Sequence, residues 1–349
     1  MAKKILMCGN DACGEGAVLA GCRFYAGYPI TPQNELTAYM SRRMGDVGGV
    51  FIQAESELAA INMVFGAAAA GGRAMTSSSS PGMSLKQEGI SYLVGCELPC
   101  VIVNIQRGGP GLGNIAPAQS DYFQAVKGGG HGDYKMIVVG PSSVQELMDQ
   151  TALAFDLADK YRNPVCILGD GLLGQMMEPV SMKTDDYKPQ VVEKPWALTG
   201  CLGRKPNIIR SLLLGDGALE EHNKKLQEKY RRIKEAEVRA EALNTKDADV
   251  IIVAYGSVGR IAKAAMEDAR AEGLKVGYIR PITLWPFPEK LIAEAAAKCG
   301  RFLVVEMSAG QMVEDVRLAV NGRARVDFYG RMGGGVPTEE EIGLAISPK

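Results

Sequence analysis

Glu57 opens the run ESELAAINMVFGAAAAG, directly after the strand-like FIQ. At such a place a carboxyl group either complements the positive end of a helix dipole or, among small and mostly apolar residues, shares a proton with a ligand nitrogen. The residues themselves leave both readings open. Arg107 ends the strand-like CVIVNIQ and enters the loop GGPGLG. A guanidinium there can grip a carboxylate through two parallel hydrogen bonds, or form an ordinary surface ion pair. The stretch TSSSSPG at 76–82 follows another strand and precedes a helix. Ser79, Ser80, Pro81 and Gly82 therefore stand at a helix N-terminus, with hydroxyl and N–H groups placed either to meet a ligand or to cap the helix.

The fourth candidate is GYPITP at 27–32. Each proline fixes its own φ near about −65° and pushes the preceding residue toward extended geometry, so Tyr28 and Thr31 are held out of the helical region. Thr31 reads as the N-cap of the helix NELTAYMSRRM with Pro32 at its first position, although Asn34 occupies the place where a capping box needs Glu or Gln. His131, in GGGHGDY, is a loop histidine either solvated or in touch with substrate. The glycine run GGPGLG lacks the following helix of a dinucleotide site. A second GDG at 215–217, with Asn244 downstream, imitates a Mg²⁺-diphosphate motif, yet a single charged helix fills the interval where a helix and a strand should deliver the asparagine.

These loops need a scaffold that aims them together. Short β-rich runs alternate with helix-like runs from the start to about residue 180, which implies an α/β fold with a mostly parallel sheet and ligands at the carboxyl ends of its strands. Residues 181–246 read as a linker ending in the charged helix LEEHNKKLQEKYRRIKEAEVRAEAL, with Leu226, Tyr230 and Ile233 as a narrow apolar stripe. Its interleaved acids and bases argue for a solvated helix bridging two domains. A second α/β unit fills 247–349, where Thr338 and Glu341 form a capping box and no cluster of chemical groups stands out.

The chain has 349 residues and a formal net charge of −1, which offers no electrostatic reason to expect nucleic acid or an anionic membrane. No apolar run approaches the roughly 20 residues of a membrane span, and the start lacks a signal-peptide core. A cytoplasmic protein is expected. The 8 cysteines include no CxxC pair, so neither an iron-sulfur cluster nor a structural zinc is expected on this chain.

Taken together, GYPITP, ESE with TSSSSPG, and QRGGPGLG closely resemble the α subunit of the 2-oxoacid:ferredoxin oxidoreductases, thiamine diphosphate enzymes of anaerobic metabolism. The resemblance runs along nearly the whole chain through PSSVQEL, KYRNPV, YGSVGR, RPITLWPFP and VVEMSAGQM. It implies that 1–180 is a thiamine diphosphate pyrimidine-binding domain and that 247–349 resembles the transketolase C-terminal domain. It places Glu57 as the catalytic glutamate that hydrogen-bonds N1′ of the aminopyrimidine, beside Ser79, Ser80, Pro81 and Gly82. Thr31 and Arg107 fall where the family holds the 2-oxoacid, with Tyr28 and Ile30 in the wall. The resemblance further implies a β subunit carrying Mg²⁺ and the diphosphate, γ and ferredoxin-like δ subunits with the iron-sulfur clusters, and coenzyme A and ferredoxin as substrates of the complex. GGPGLGNIAPAQSDYFQAVKGGGHGDY looks most like the branched-chain (2-oxoisovalerate) group. Relatives acting on 2-oxoglutarate carry Ser-Thr-Gly-Leu-Pro-Thr after GGP, where Gly111, Leu112 and Gly113 stand here. The alternatives are the same subunit acting on 2-oxoglutarate, and a self-contained thiamine enzyme using Asp216 and Asn244.

Overall fold

The computed structural model describes residues 4–182, 187–190 and 192–347. The chain begins with β1 (Lys4–Cys8), α1 (Gly9–Leu19), β2 (Phe24–Gly27), α2 (Asn34–Asp46), β3 (Val50–Gln53), α3 (Glu57–Ala69), β4 (Ala74–Ser78), α4 (Ser80–Gly95) and β5 (Val101–Gln106). After a long loop containing a π-helical turn at Gln124–Gly128 come β6 (Ile137–Val139), α5 (Val144–Tyr161), β7 (Val165–Asp170), α6 (Gly171–Gln175) and β8 (Met177–Ser181). The remainder comprises α7 (Ala218–Ala236), β9 (Ala240–Leu243), β10 (Val250–Val253), α8 (Gly256–Ala271), β11 (Val276–Pro281), β12 (Thr283–Trp285), α9 (Glu289–Ala296), β13 (Arg301–Glu306), α10 (Met312–Val320), β14 (Arg325–Gly330) and α11 (Glu339–Ile346).

Two sheets carry the fold. The larger has the order β12-β6-β7-β5-β4-β2-β3, parallel throughout except for β12, which runs antiparallel to β6. Its central strands VIVNIQ and VCILGD are buried along their whole length, as a sheet covered by helices on both faces requires. The smaller has the order β14-β13-β10-β11-β9, with only β9 antiparallel. The α/β class and the second parallel unit expected from the strand-helix alternation are both present.

Two local expectations differ. The charged run does not stay helical to Leu243: α7 stops at Ala236, and Ala240–Leu243 pairs with β11 as a strand. Sheet pairing overrides the helical propensity of these residues because β11 would otherwise present an open edge. Within α7 the stripe Leu226, Tyr230 and Ile233 is buried as expected. His222 Nε2 meets the Gly95 carbonyl at 2.8 Å, and Tyr230 packs edge-on against Trp285 of β12, so both contacts lie on the layer of the first sheet. The second difference is at Thr31, which is not an N-cap, since Gln33 occupies that place before Asn34.

Candidate active site

Because β2, β3, β4, β5 and β7 run parallel, the segments that leave their carboxyl ends share one edge of the sheet. GYPITP leaves β2, Glu57 follows β3, Ser79 follows β4, and Arg107 follows β5. Ser56 caps α3 by accepting a hydrogen bond from the Ala59 N–H at 3.2 Å, which fixes Glu57 in the first turn. The Glu57 side chain is only 6% exposed, and its carboxylate has no hydrogen-bond partner among the described residues. It points at Gly82, where a Cβ would lie 2.4 Å from Glu57 Oε1 and 2.2 Å from Ser78 Oγ. The hydroxyls of Ser78 and Ser79 are buried without partners. Such orphaned groups are costly in a finished core.

Ser80 takes a different part. Its Oγ accepts from the Arg107 backbone N–H at 3.0 Å and donates to Asp121 Oδ2 at 2.6 Å. Asn104 Nδ2 donates to the same Asp121 oxygen at 2.9 Å. Burial pushes the Asp121 carboxyl above its usual range, against the pull of those two hydrogen bonds.

Arg107 is 7% exposed and its guanidinium lies on carbonyls: Nη1 donates to the Thr31 carbonyl at 2.9 Å and Nη2 to that of Leu112 at 3.0 Å. Nε is buried with no partner. The structure thus joins Thr31 and Arg107 directly, while the Thr31 hydroxyl accepts only from Asn34 Nδ2 at 3.1 Å. Tyr28 is 38% exposed and Ile30 half-buried in the same loop.

Several supports escaped the sequence reading. Gln33 Oε1 accepts from Ser77 Oγ at 2.6 Å, tying GYPITP to β4, and Asn10 and Gln175 both donate to the Pro32 carbonyl at 2.8 and 2.9 Å. The loop after Arg107 is closed by hydrogen bonds from Gly108 to Ala116 and from Asn114 back to Gly108. Gly113 sits at φ +58°, and a Cβ there would meet the Gly108 carbonyl oxygen at 1.8 Å. Glycine at 113 is therefore a requirement of loop closure.

The second α/β unit does contribute to this region, contrary to the expectation from its sequence. A cleft of about 440 Å³ is lined by Ser80, Pro81, Pro110 and Asp121 on one side and by Met307, Ser308, Gln311 and Met332 on the other. The motif VVEMSAGQM braces it: the buried Glu306 carboxylate accepts N–H bonds from Gln311, Met312 and Val313, and Gln311 Nε2 donates to the Ser120 carbonyl at 2.6 Å.

Two other candidates lie elsewhere. His131 is exposed against Tyr92, with its carbonyl bonded to Ser91, roughly 17 Å along α4 from Ser80 at 1.5 Å per residue. Asp216 is exposed before α7, whereas the Asn244 side chain meets Met266 in the second sheet's layer. The whole of α7 and then β9 lie between them in the chain. Among the described residues no group of three or more His, Cys, Asp or Glu side chains is placed to hold a metal ion. The first GDG serves the fold, since Asp170 caps α6 at Leu173 and accepts from Ser257 in α8.

The model of the pyruvate flavodoxin/ferredoxin oxidoreductase thiamine diphosphate-binding family matches residues 15–244, and that of pyruvate:ferredoxin oxidoreductase core domain II matches 248–342. The chain belongs to the 2-oxoacid:ferredoxin oxidoreductase family. Ketoisovalerate oxidoreductase subunit VorB of Methanothermobacter thermautotrophicus is 55% identical over 328 residues, covering 93% of this chain and 92% of the relative. The 2-oxoglutarate synthase subunit KorA of the same organism is 38% identical, with 98% of each covered. Among solved structures, the 2-oxoglutarate:ferredoxin oxidoreductase of Magnetococcus marinus superposes with a TM-score of 0.89 at 30% identity. The match covers 99% of this oxidoreductase subunit and 65% of that chain. No helix among the described residues is long and apolar enough to cross a membrane.

Proposed function

We propose that this chain is the α subunit that supplies the aminopyrimidine-facing half of a thiamine diphosphate site in a 2-oxoisovalerate:ferredoxin oxidoreductase. The complex would convert the branched-chain 2-oxoacid to its acyl-CoA and CO2 and pass electrons to ferredoxin. One observation carries the site: a buried Glu57 carboxylate without a hydrogen-bond partner, packed closely against Gly82, where no larger residue fits without displacing it. Thiamine diphosphate, when bound, supplies the electron sink that a 2-oxoacid needs for decarboxylation.

Glu57 would hold the proton of a ring nitrogen at its Oε1, with Ser78 and Ser79 offering hydroxyls to the polar edge and Gly82 letting the carboxylate take up its place beside α4. Pro81 would close the side toward the interdomain cleft. Arg107 would turn its Nε and one arm to the substrate carboxylate, and the Thr31 hydroxyl would meet the keto oxygen. Tyr28 and Ile30 become walls only once a second chain covers them. That chain would be a β subunit supplying Mg²⁺ and the diphosphate contacts, with γ and ferredoxin-like δ subunits carrying the iron-sulfur clusters, in a cytoplasmic assembly.

The substrate rests on the 55% and 54% identity to subunits named for ketoisovalerate, against 38% for those named for 2-oxoglutarate. The shape of the loop weighs less, because Gly113 is required by closure whatever the substrate. The structural likeness to a 2-oxoglutarate enzyme keeps that substrate as the second reading. Turnover of 2-oxoisovalerate and 2-oxoglutarate by the co-purified complex, with coenzyme A and a low-potential acceptor, separates the two. Glu57→Gln should abolish turnover with assembly intact; full activity in that variant refutes the cofactor role.

A further inference from the structure

Among the described residues four cationic side chains are buried: Lys86, Arg107, Lys229 and Arg280. Arg280 pairs with Glu146 and Glu241, and Lys229 with Glu97. Lys86 and Arg107 touch no carboxylate. A buried cation without a counter-ion is a standing cost, and both examples lie at the same end of the same sheet. Arg107 has a substrate carboxylate to meet; Lys86 has no part in the chemistry described so far.

Lys86 is fully buried in α4, one turn after Gly82 and hence on the same helix face. Its Nζ donates to Thr76 Oγ1 at 2.8 Å and reaches the Glu57 carbonyl oxygen at 3.5 Å. Thr76 and Ser78 alternate along β4 onto one face, so the ammonium at Thr76 lies one pleat further from the strand end than the close approach of Ser78 to Gly82. We infer that Lys86 is a positioning residue for Glu57: it clamps the first turn of α3 to β4 and supplies the positive charge against which Glu57 shares its proton. The inference rests on Glu57 being the cofactor-facing carboxyl.

The charges that face Lys86 are few. Glu57 comes from α3, while β4 offers only hydroxyls. Arg107 and Asp121 meet the opening turn of α4 through Ser80. Burial pushes the Lys86 amine down to about 7, and the Glu57 charge pulls it back up. Below that value Lys86 is an ammonium behind the first turn of α3; above it the charge is gone and only the packing of the side chain remains.

The test is a double-mutant cycle read by calorimetric thiamine diphosphate affinity of the assembled complex, using wild type, Lys86→Met, Glu57→Gln and the double variant at pH 6.5 and 8.5. Wild type should bind at least threefold more tightly at pH 6.5 than at 8.5, and Lys86→Met should lose that difference. In the Glu57→Gln background, Lys86→Met should change the dissociation constant less than twofold. An equal loss in both backgrounds makes Lys86 merely structural and overturns the inference. If Glu57→Gln alone leaves affinity and turnover untouched, it is the reading of Glu57 that falls. Should Lys86→Met fail to assemble, Thr76→Val removes the anchoring hydrogen bond at constant volume; an affinity-pH profile identical to wild type then overturns the inference.

Discussion

Gly82→Ala is the most direct probe of the space beside Glu57. The added Cβ would stand 2.2 Å from Ser78 Oγ and 2.4 Å from Glu57 Oε1, against an ordinary contact of 3.4 Å or more. Both clashing atoms are side-chain ends, so the backbone of α4 can stay in place while the hydroxyl rotates and the carboxylate retreats by roughly 1 Å. Alanine favours a helix over glycine by about 1 kcal/mol, so the substitution itself supports α4 and the fold is retained. A displacement of about 1 Å at a catalytic group costs about 100-fold in rate, or ~2.7 kcal/mol at 1.36 kcal/mol per decade. The assay is kcat/KM of the assembled complex for 2-oxoisovalerate, with thiamine diphosphate affinity and thermal unfolding measured on the same preparation. A variant that melts like wild type but turns over about 100-fold more slowly supports the reasoning. Wild-type turnover with wild-type affinity would show that the ring does not lie against Gly82 and Glu57.

Three further outcomes are expected. Arg107→Ala should raise KM for the 2-oxoacid and lower kcat/KM by about 3 kcal/mol, the upper end for hydrogen bonds to a charged group, because the Thr31 and Leu112 carbonyls also lose their donor; steady-state kinetics decides. Gly113→Ala should destabilise the fold by about 1–3 kcal/mol in thermal or denaturant unfolding, since positive φ and a contact on backbone leave nothing free to move. Stability should rise with pH above about 7 on account of Lys86, because the unfolded chain still binds a proton that the folded one has released. The slope attributable to that one group approaches about 1.4 kcal/mol per pH unit between the two values, and its absence from Lys86→Met, by chemical denaturation across pH 7–9, is the check.

What the sequence disclosed of this site was local. Glu57 could be placed because an extended run hands over to a small-residue helix within four positions, and Arg107 because it ends an unbroken apolar strand. Their convergence followed from the parallel sheet alone. The supports were hidden by separation along the chain: Gln33 is 44 residues from Ser77, and Gln175 is 143 from Pro32. Lys86 was invisible for another reason, since in SLKQEG it looks like an exposed helix residue and only packing shows that it is enclosed. Ala240–Leu243 misled because its composition favours a helix, while its partner strand lies 35 and more residues further on. Thr31 misled because the cap signal sits two positions early, and Gln33, a poor cap by type, is held there by Ser77 and Thr37.

The two sheets exchange pieces. β12, from beyond the linker, completes the edge of the first sheet at β6, and β9, from the end of the linker itself, completes the second at β11. Neither half can be cut away without exposing a row of unsatisfied edge groups on what remains. A protease nick between residues 243 and 250 should therefore leave two fragments that stay together, and a gene split there should yield halves that refold only in each other's presence. Beside the small β1–β8 pair, the two larger sheets of the described residues share strands across the linker, and on this connectivity they should unfold as one cooperative unit.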